Sequence, residues 1–394
     1  MLLAAAAPTV MITEQHRHRI VVFSHSAQLR GAERALLAIT RRLVADSHEV
    51  VVVVRRRGPL IARLQELGAS VHVHPMPPWL ARKSAWPVFI GRAIIALVCL
   101  PRLAWLVRKT KPCVAYTNSL VTPEGAIAAR LTGVPHIWHI REYVPGNETL
   151  RGHLSLRRIM RTTARLSKAR IAVSTTVAEQ CTGDGGPDPV VVAAGMDPER
   201  FATERPTRDE WLAAGAPAVA VVGSVSAAKG TDLAVGVLHE LRRTHPGARL
   251  LIAGAGEPRF VEAVRQAIAA GGDDDAVRIV DFVDDVRSVY DAADAVLVTS
   301  RHEAYGLVTL EALSAGAPVV GSASGSTRDL LSGCGLLADP GNAVQFAAHV
   351  AAIADDAALR AWLVARGQQF VAGLDPDAEA VALLAAAAQV CSGG

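Results

Sequence analysis

The stretch from Ala295 to Asp329, AVLVTSRHEAYGLVTLEALSAGAPVVGSASGSTRD, decides the fold. Its first residues, Ala295–Thr299, form a short apolar run rich in Val, which is typical of a buried parallel strand. A second regular element begins after Gly306, where Leu310 and Leu313 have the spacing of a buried helix face. The stretch therefore predicts a strand, a polar loop and a helix, in that order.

Two carboxylates flank the start of this predicted helix. Glu303 lies in the loop before Gly306, and Glu311 lies on the helix, which Gly316 and Pro318 end. A helix N-terminus at the carboxyl end of a parallel strand favours phosphate, because its N–H groups are free and its dipole is positive. Carboxylates repel phosphate, so we interpret them as hydroxyl ligands, with Glu311 on a ribose and Glu303 on a hexose. That combination describes a nucleotide-sugar.

The spacing of the two glutamates proves nothing alone, because 17 Glu in 394 residues give roughly 0.7 such pairs by chance. The surrounding pattern is more specific: strand, Ser300, Glu303, Gly306-Leu307, Glu311, helix and Gly-Ala-Pro. It resembles the Glu-x7-Glu signature of glycosyltransferase family 4, a group of retaining enzymes. The resemblance implies an α/β protein of the GT-B class, in which two Rossmann-like, doubly wound parallel-sheet domains face a central cleft. An ordinary doubly wound domain with solvated carboxylates is the alternative.

The composition limits the class of protein. Hydrophobic residues make up 51% and charged residues 20% of the 394 residues, enough for the cores of two or three domains. The five Cys residues are scattered without a CxxC pair, which favours a reducing, cytoplasmic compartment and argues against zinc. The net charge of +4 is mild and aromatic residues are only 4%, so we expect no nucleic-acid partner.

Two similar series of strands and helices divide the chain. Residues 19–197 read as a βαβ series with a parallel sheet, and the resemblance makes them the acceptor-binding domain. Residues 198–375 repeat the pattern and correspond to the nucleotide-sugar-binding domain. Residues 1–18 are predicted to be a flexible tail, since their apolar start lacks the basic residues of a signal peptide. Residues 376–394 form a terminal helix, which in this fold often crosses back to the first domain.

Residues 75–110 interrupt the first series, and residues 79–111 are the candidate for a membrane contact. Pro87–Val107 is mostly apolar but carries Arg92 and Arg102, and Pro101 between them adds a break, so a transmembrane span is disfavoured. One interpretation is a long helix that packs on the sheet. The other is a surface that lies peripherally on a membrane, framed by basic residues that suit anionic lipid.

Sugar transfer needs positive charge at the departing phosphate, because negative charge builds there in the transition state. Lys229, in the pattern Gly223-x5-Lys229-Gly, matches a diphosphate-binding position of the family; an ordinary surface lysine is the alternative. Ser224 stands where the family usually has Arg. Arg301 and Arg328 are the candidates to supply the missing cation.

The resemblance assigns further residues of the second domain to the donor. The N–H groups of Gly306, Leu307 and Val308 are expected to face the distal phosphate. Val283 lies in a segment that resembles the one whose backbone holds the nucleobase. Gly254 lets the backbone approach the nucleotide, or it is an ordinary turn glycine.

The resemblance also assigns two residues of the first domain. Gly31 is expected to approach the donor phosphate, although Arg30 replaces the glycine that the family has before it. His139, at the carboxyl end of a predicted strand, matches a histidine that faces the sugar; a core histidine is the alternative. Glu303, His139 and Lys229 are thus the predicted catalytic residues. No cofactor or metal is expected, since Lys229 and the helix dipole can carry the phosphate charge.

These patterns predict a retaining, metal-independent hexosyltransferase. It would move a sugar from a nucleotide-sugar donor to an envelope lipid, a polysaccharide or another glycan acceptor. The Ala-, Val- and Arg-rich composition suggests a GC-rich bacterium, and we expect a cytoplasmic protein on the inner membrane face. Two rivals remain: an epimerase or phosphorylase of the same fold, and a non-catalytic nucleotide-sugar-binding protein, which the departures at Ser224 and Arg30 motivate.

Overall fold

Two parallel sheets, one of seven strands and one of six, organise the chain. The computed structural model describes residues 17–81, 85–147, 150, 152–193, 195, 209–281, 283 and 285–392. Residues 1–16 of the predicted tail (1–18) and the predicted domain boundary at 197/198 lie outside these residues. Within them, the expectation of two doubly wound parallel-sheet domains is confirmed.

The first domain is built on the seven-stranded sheet. Its strands are β1 (Arg19–Ser24), β2 (Glu49–Val54), β3 (Ser70–Val73), β4 (Val114–Thr117), β5 (His136–Ile140), β6 (Ala169–Ala172) and β7 (Val190–Val191). Its helices are α1 (Gly31–Ala45), α2 (Leu60–Glu66), α3 (Trp86–Thr110), α4 (Glu124–Thr132), α5 (Leu156–Leu166) and α6 (Thr175–Glu179). The strand order is β3-β2-β1-β4-β5-β6-β7, so the order reverses between β1 and β4. Such a reversal opens a crevice at the carboxyl ends of the strands.

The second domain repeats this plan on the six-stranded sheet. Its strands are β8 (Ala218–Val222), β9 (Arg249–Ala253), β10 (Val277–Val280), β11 (Ala295–Val298), β12 (Val319–Ser322) and β13 (Leu336–Ala338). The helices are α7 (Glu210–Ala213), α8 (Thr231–Arg242), α9 (Pro258–Gly271), α10 (Val286–Ala292), α11 (Leu307–Ala315), α12 (Gly325–Leu331), α13 (Ala343–Asp355) and α14 (Ala357–Ala372). The order β10-β9-β8-β11-β12-β13 reverses between β8 and β11, beside the loop that carries Glu303.

Helix α11 follows the predicted pattern closely. Gly306 precedes it with φ 98° and Gly316 follows it with φ 82°, two left-handed conformations that glycine adopts without strain. Leu310 and Leu313 are buried as their spacing predicts. Because both ends of α11 are set by glycine, the start of the helix is held at the carboxyl edge of the sheet.

The chain returns to the first domain at its end. Helix α15 (Ala378–Ser392) packs on that domain, where Leu383 and Ala387 join the core formed by α1 and the first sheet. A Cβ atom built on Gly195 would lie 2.3 Å from the carbonyl carbon of Asp375, so the outgoing and returning segments touch. The two domains are therefore joined by two adjacent chain crossings.

Helix α3 combines features of both interpretations of residues 79–111. It runs unbroken through Pro101, so the predicted break is wrong. Pro101 has no N–H to donate to the carbonyl oxygen of Leu97. Both residues are exposed, Leu97 to 70%, so this carbonyl can accept a hydrogen bond from water. The second half packs on the sheet through Leu103 and Val107, whereas most of the first half is exposed. Among the described residues, α3 is the one helix long and apolar enough to cross a membrane.

Candidate active site

Lys229 and Glu303 lie at the centre of the candidate site. Lys229 Nζ lies 2.6 Å from Glu303 Oε2, which also accepts a hydrogen bond from Ser300 Oγ at 2.9 Å. Thr299 Oγ1 donates to the carbonyl oxygen of Lys229 at 2.9 Å, which ties the lysine loop to the end of β11. The Lys229 side chain is 35% exposed, so this ion pair is accessible to a ligand that could exchange one partner for another.

The backbone around Glu303 is held by the start of α12. Ser326 N–H and Ser326 Oγ both donate to the carbonyl oxygen of Glu303, at 3.2 and 3.0 Å. A Cβ atom on Gly325 would lie 2.8 Å from that same oxygen, so the close approach requires glycine. The Glu303 loop is therefore rigidly positioned before any ligand arrives.

The first turn of α11 presents donors beside Glu303. The first intrahelical bond runs from Leu310 N–H to Gly306 O at 3.2 Å, so the N–H groups of Leu307, Val308 and Thr309 precede it. The Thr309 hydroxyl is buried and has no hydrogen-bond partner among the described residues. This helix start has the features of an anion site, as the sequence predicts.

Glu311 lies one turn further along α11 and is buried. Tyr290, from α10, donates its phenolic hydrogen to Glu311 Oε2 at 3.0 Å. Arg34 Nη1, from α1 of the first domain, lies 3.9 Å from Glu311 Oε1. Glu311 thus faces the other domain across the cleft, and Tyr290 supports it from behind.

Glycine shapes the loops after β8 and β9. Gly223 and Gly254 have φ 127° and 156°, and a Cβ atom on Gly254 would lie 1.8 Å from Gly223 O. No side chain fits between these two crossing loops. Packing alone therefore requires glycine at position 254, with or without a bound nucleotide. Val283 lies at the same edge and packs partly buried against the domain core. Its neighbours Phe282 and Asp284 lie outside the described residues.

The cation missing at Ser224 is not replaced by the candidate arginines in this conformation. Ser224 is exposed. Arg301 Nη2 donates to Asp232 Oδ2 at 3.2 Å, and Arg328 Nη2 donates to the carbonyl oxygen of Ala323 at 2.5 Å. Of Lys229, Arg301 and Arg328, Lys229 is the one that pairs with Glu303.

The first domain touches the second around the start of α11. A Cβ atom on Gly31 would lie 2.9 Å from Leu307 Cδ1, so the start of α1 directly faces the start of α11. Ser174 Oγ donates to Ala304 O at 2.6 Å, which fastens the Glu303 loop to the first domain. The structure thus brings Gly31, Lys229, Glu303 and the α11 donors to one cleft.

His139 lies below this cleft surface. It is fully buried, with Nδ1 2.6 Å from the Tyr116 hydroxyl and Nε2 3.6 Å from Glu379 Oε1. Burial, and then the nearby Arg141 charge, hold the pKa of His139 well below its usual value, so the ring is neutral. The structure places His139 behind an ion pair formed by Arg141 and Glu379 and leaves no part of it exposed to the cleft.

That ion pair is a feature that sequence reasoning missed. Arg141 donates to both carboxylate oxygens of Glu379, at 2.7 and 2.9 Å, and its Nε donates to Asn118 Oδ1 at 2.7 Å. Both side chains are almost fully buried. Glu379 lies in the first turn of α15, so this pair anchors the returning helix beneath the cleft.

Among the described residues, no group of three or more His, Cys, Asp or Glu side chains is arranged to hold a metal ion. Asp273 and Asp275, which resemble a metal motif in sequence, instead pair with Arg242 at 3.5 and 2.9 Å. Beside Glu303, an anion would meet the positive charge of Lys229 and the start of α11.

The fold and the site define a class of protein: a GT-B glycosyltransferase. Residues 216–356 match the family described as glycosyl transferases group 1, and residues 30–196 match the glycosyl transferase 4-like domain. Together these matches cover more than three quarters of the chain. The chain belongs to the group 1 glycosyltransferases and is an enzyme of that family.

Sequence relatives and solved structures agree with this assignment. A glycogen synthase of Mycobacterium tuberculosis is 29% identical over 70% of this chain and 68% of its own length. A GDP-mannose-dependent alpha-mannosyltransferase of the same species is 26% identical over 80% of this chain and 81% of its own length. The structure of Anabaena HepE with UDP-glucose superposes with a TM-score of 0.76 at 20% identity, covering 96% of this chain and all of that one. A sucrose-phosphate synthase from Thermosynechococcus elongatus has the same fold, with a TM-score of 0.74 at 16% identity over 96% of this chain and 100% of that chain.

Proposed function

We propose that the protein is a retaining, metal-independent glycosyltransferase that takes a hexose from a nucleotide-sugar. The observation that carries this proposal is the Lys229–Glu303 contact of 2.6 Å beside the start of α11. A diphosphate can replace Glu303 as the partner of Lys229, and the released carboxylate can then accept hydrogen bonds from sugar hydroxyls. Glu311 would hold the ribose diol, one turn further along the same helix. The HepE structure with UDP-glucose supports a donor of this class.

The reaction follows from these positions. The bond between the anomeric carbon and the diphosphate oxygen breaks, and its electron pair stays on the diphosphate. The acceptor oxygen bonds to the anomeric carbon on the same face, and its proton passes to the departing phosphate. Lys229 and the N–H groups of Leu307 and Val308 stabilise the charge that develops on that phosphate. No step in this scheme requires a metal ion.

The acceptor in this proposal is a lipid-linked or polysaccharide glycan of a bacterial cell envelope, met at the inner membrane face. The exposed, apolar first half of α3 on the acceptor-side domain supports this choice. Helix α3 runs from Trp86 toward Thr110, whose carbonyl oxygen accepts from Arg19 at the start of β1. Its exposed half therefore lies at the end of the sheet where the cleft opens, beside the place an acceptor would enter.

Binding and turnover test this proposal separately. In a thermal-shift panel, one nucleotide-sugar should raise the melting temperature of the protein. A ligand at 100 times its Kd adds about 2.7 kcal/mol to the free energy of unfolding. The protein should then transfer labelled sugar from that donor to an acceptor in membrane extracts. NMR of the product should show the same anomeric configuration as in the donor. Binding without transfer to any acceptor would instead favour a non-catalytic nucleotide-sugar binder, the function that the exposed Ser224 would suit.

A further inference from the structure

Helix α3 exposes a continuous apolar stripe, which we call the α3 face. Its members are 52–70% exposed: Trp86, Ile90, Ile94, Leu97, Val98 and Trp105. Apart from the adjacent Leu97 and Val98, they follow one another at spacings of three, four or seven residues, which puts them on one side of the helix. A contiguous apolar surface of this kind on a folded domain marks an interaction site.

Helix α3 cannot cross a bilayer in this fold. Leu103 and Val107 are fully buried in a core that includes Val21 and Val51 of the sheet. The helix end is also tied to the first strand, because Arg19 Nη1 donates to Thr110 O at 2.7 Å. An apolar helix fastened along one side can instead lie in the interface plane of a membrane, with its free side in the acyl boundary.

The charge on this segment favours an anionic bilayer over a second protein copy. Residues 86–111 contain no Asp or Glu. They contain five basic residues: Arg92, Arg102, Arg108, Lys109 and Lys111. A symmetric dimer through the α3 face would bring two copies of this basic segment together, since a two-fold interface uses the same patch twice. An anionic lipid surface has the complementary charge.

A groove adjoins the α3 face between the second half of α3 and the edge strand β3. It has a volume of about 440 Å³, and Arg19, Arg102 and Lys109 line it. Arg19 is already paired with Glu49 at 2.7 Å. Arg102 and Lys109 are exposed, and no carboxylate pairs with them among the described residues. Lys109 Nζ lies 4.9 Å from the centre of the Trp105 ring, and Glu49, the carboxylate in the lining, is the partner of Arg19. The groove therefore offers an anion two cations that have no carboxylate partner among the described residues.

His74 adds a hydrogen-bond acceptor to the same groove. Its Nδ1 lies 3.1 Å from Pro75 O, and because a carbonyl can only accept, Nδ1 must carry the hydrogen. Nε2 is then an acceptor; it is buried and has no partner among the described residues. Burial lowers the pKa of His74, which keeps the ring neutral. A matching ligand needs a hydroxyl donor beside its negative charge.

We infer that the groove binds the phosphoglycerol headgroup of an anionic phospholipid while the α3 face enters the acyl boundary of the same membrane. Arg102 and Lys109 hold the phosphate, and a headgroup hydroxyl donates to His74 Nε2. Trp105 lines the groove and belongs to the α3 face, a place that suits an indole at a membrane interface. This inference rests on the membrane-side acceptor of the proposed function and names the lipid that positions the enzyme there.

Vesicle flotation of the full chain tests the inference. Phosphatidylcholine vesicles that contain phosphatidylglycerol should bind the protein, and phosphatidylcholine alone should bind far less. The double variant Arg102→Gln, Lys109→Gln should lower the partition coefficient about 25-fold, since each basic residue at an anionic surface contributes a factor of about five. Leu97→Asp should abolish flotation, whereas Arg63→Gln on α2, away from α3, should leave it unchanged. Equal flotation of all four proteins would overturn the inference.

Two further measurements separate the rival occupants. His74→Phe should weaken binding to phosphatidylglycerol but not to phosphatidylmethanol, a phosphodiester of the same charge without a headgroup hydroxyl. Saturable binding of soluble glycerol 3-phosphate without vesicle binding would mean a free phosphate-ester site and would overturn the lipid assignment. A dimer in analytical ultracentrifugation that Leu97→Asp dissociates, again without vesicle binding, would assign the α3 face to a second copy.

The failure of this inference is distinguishable from failure of the proposed function. The groove variants keep Lys229, Glu303 and Glu311, so the thermal shift caused by the nucleotide-sugar should be unchanged in them. Vesicle binding without any nucleotide-sugar binding would contradict the proposed function and leave the headgroup groove standing. Donor binding without vesicle binding would contradict the headgroup groove and leave nucleotide-sugar binding at the active site standing.

Discussion

Tyr290 donates a hydrogen bond to Glu311 Oε2 at 3.0 Å from a position where its ring is fully buried. Glu311 is the proposed ligand of the ribose, and Tyr290 reaches it from the neighbouring helix α10. Tyr290 is therefore best understood as a positioning residue, which fixes the carboxylate so that its other oxygen can meet the ribose.

Tyr290→Phe should raise the donor KM about tenfold with little change in kcat, because one hydrogen bond to a charged group contributes about 1.5 kcal/mol. Steady-state kinetics with varied donor measures this split. Combining the change with Glu311→Gln should add less than the sum of the two effects, since the tyrosine acts through the glutamate. Fully additive effects would show that Tyr290 acts elsewhere.

Lys229→Ala should lower kcat/KM about 100-fold or more, the typical loss when one preorganised transition-state donor is removed. The free energy of unfolding should change little, because a partly exposed ion pair contributes only about 0–1 kcal/mol. Activity and a urea unfolding curve on the same preparation provide the measurement. A large loss of stability with the activity loss would make Lys229 a structural residue instead.

Ser224→Arg should increase the kcat/KM of the enzyme, because the family pattern that this loop resembles has arginine at that position. We expect kcat/KM to rise about tenfold, the contribution of one charge-assisted hydrogen bond to the diphosphate. Ala227→Arg is the matched control, since it adds the same charge at another exposed position of the same loop. An equal rise in both variants would point to general electrostatic attraction of the donor.

The fold was predictable wherever the local pattern is strong. Helix α11 follows from Gly306 and Gly316 together with the spacing of its leucines. Helix α3 was not predictable in full, because an apolar sequence does not tell which half finds a partner to pack on. At the site, Lys229 and Glu303 follow from their motifs. Tyr290 does not, since a hydrogen bond across two helices leaves no trace in local spacing.

The Arg141–Glu379 pair could not be predicted from local sequence patterns, because the two residues are 238 positions apart in the chain. Glu379→Ala should destabilise the protein by about 3 kcal/mol or more, since it leaves the buried Arg141 charge without its carboxylate partner. The control is Asp377→Ala, which removes the half-exposed partner of Arg42 from the same end of α15 and should cost about 0–1 kcal/mol. Urea midpoints compare the two; equal losses would show that Arg141 finds another partner.

Glu124, at the start of α4, should lower the stability of the fold as the pH rises toward neutrality. Its carboxylate is buried with no hydrogen-bond partner among the described residues, and burial raises its pKa to about 7 from 4.5. Between these two values the folded protein keeps a proton that the unfolded chain loses, so stability from this group falls as pH rises from 4.5 to 7, by about 3 kcal/mol in total. Glu124→Gln should flatten that part of the urea stability profile, and Glu66→Gln on the exposed side of α2 should not. An unchanged slope in Glu124→Gln would mean that this carboxyl is ionised at neutral pH and is paired in solution.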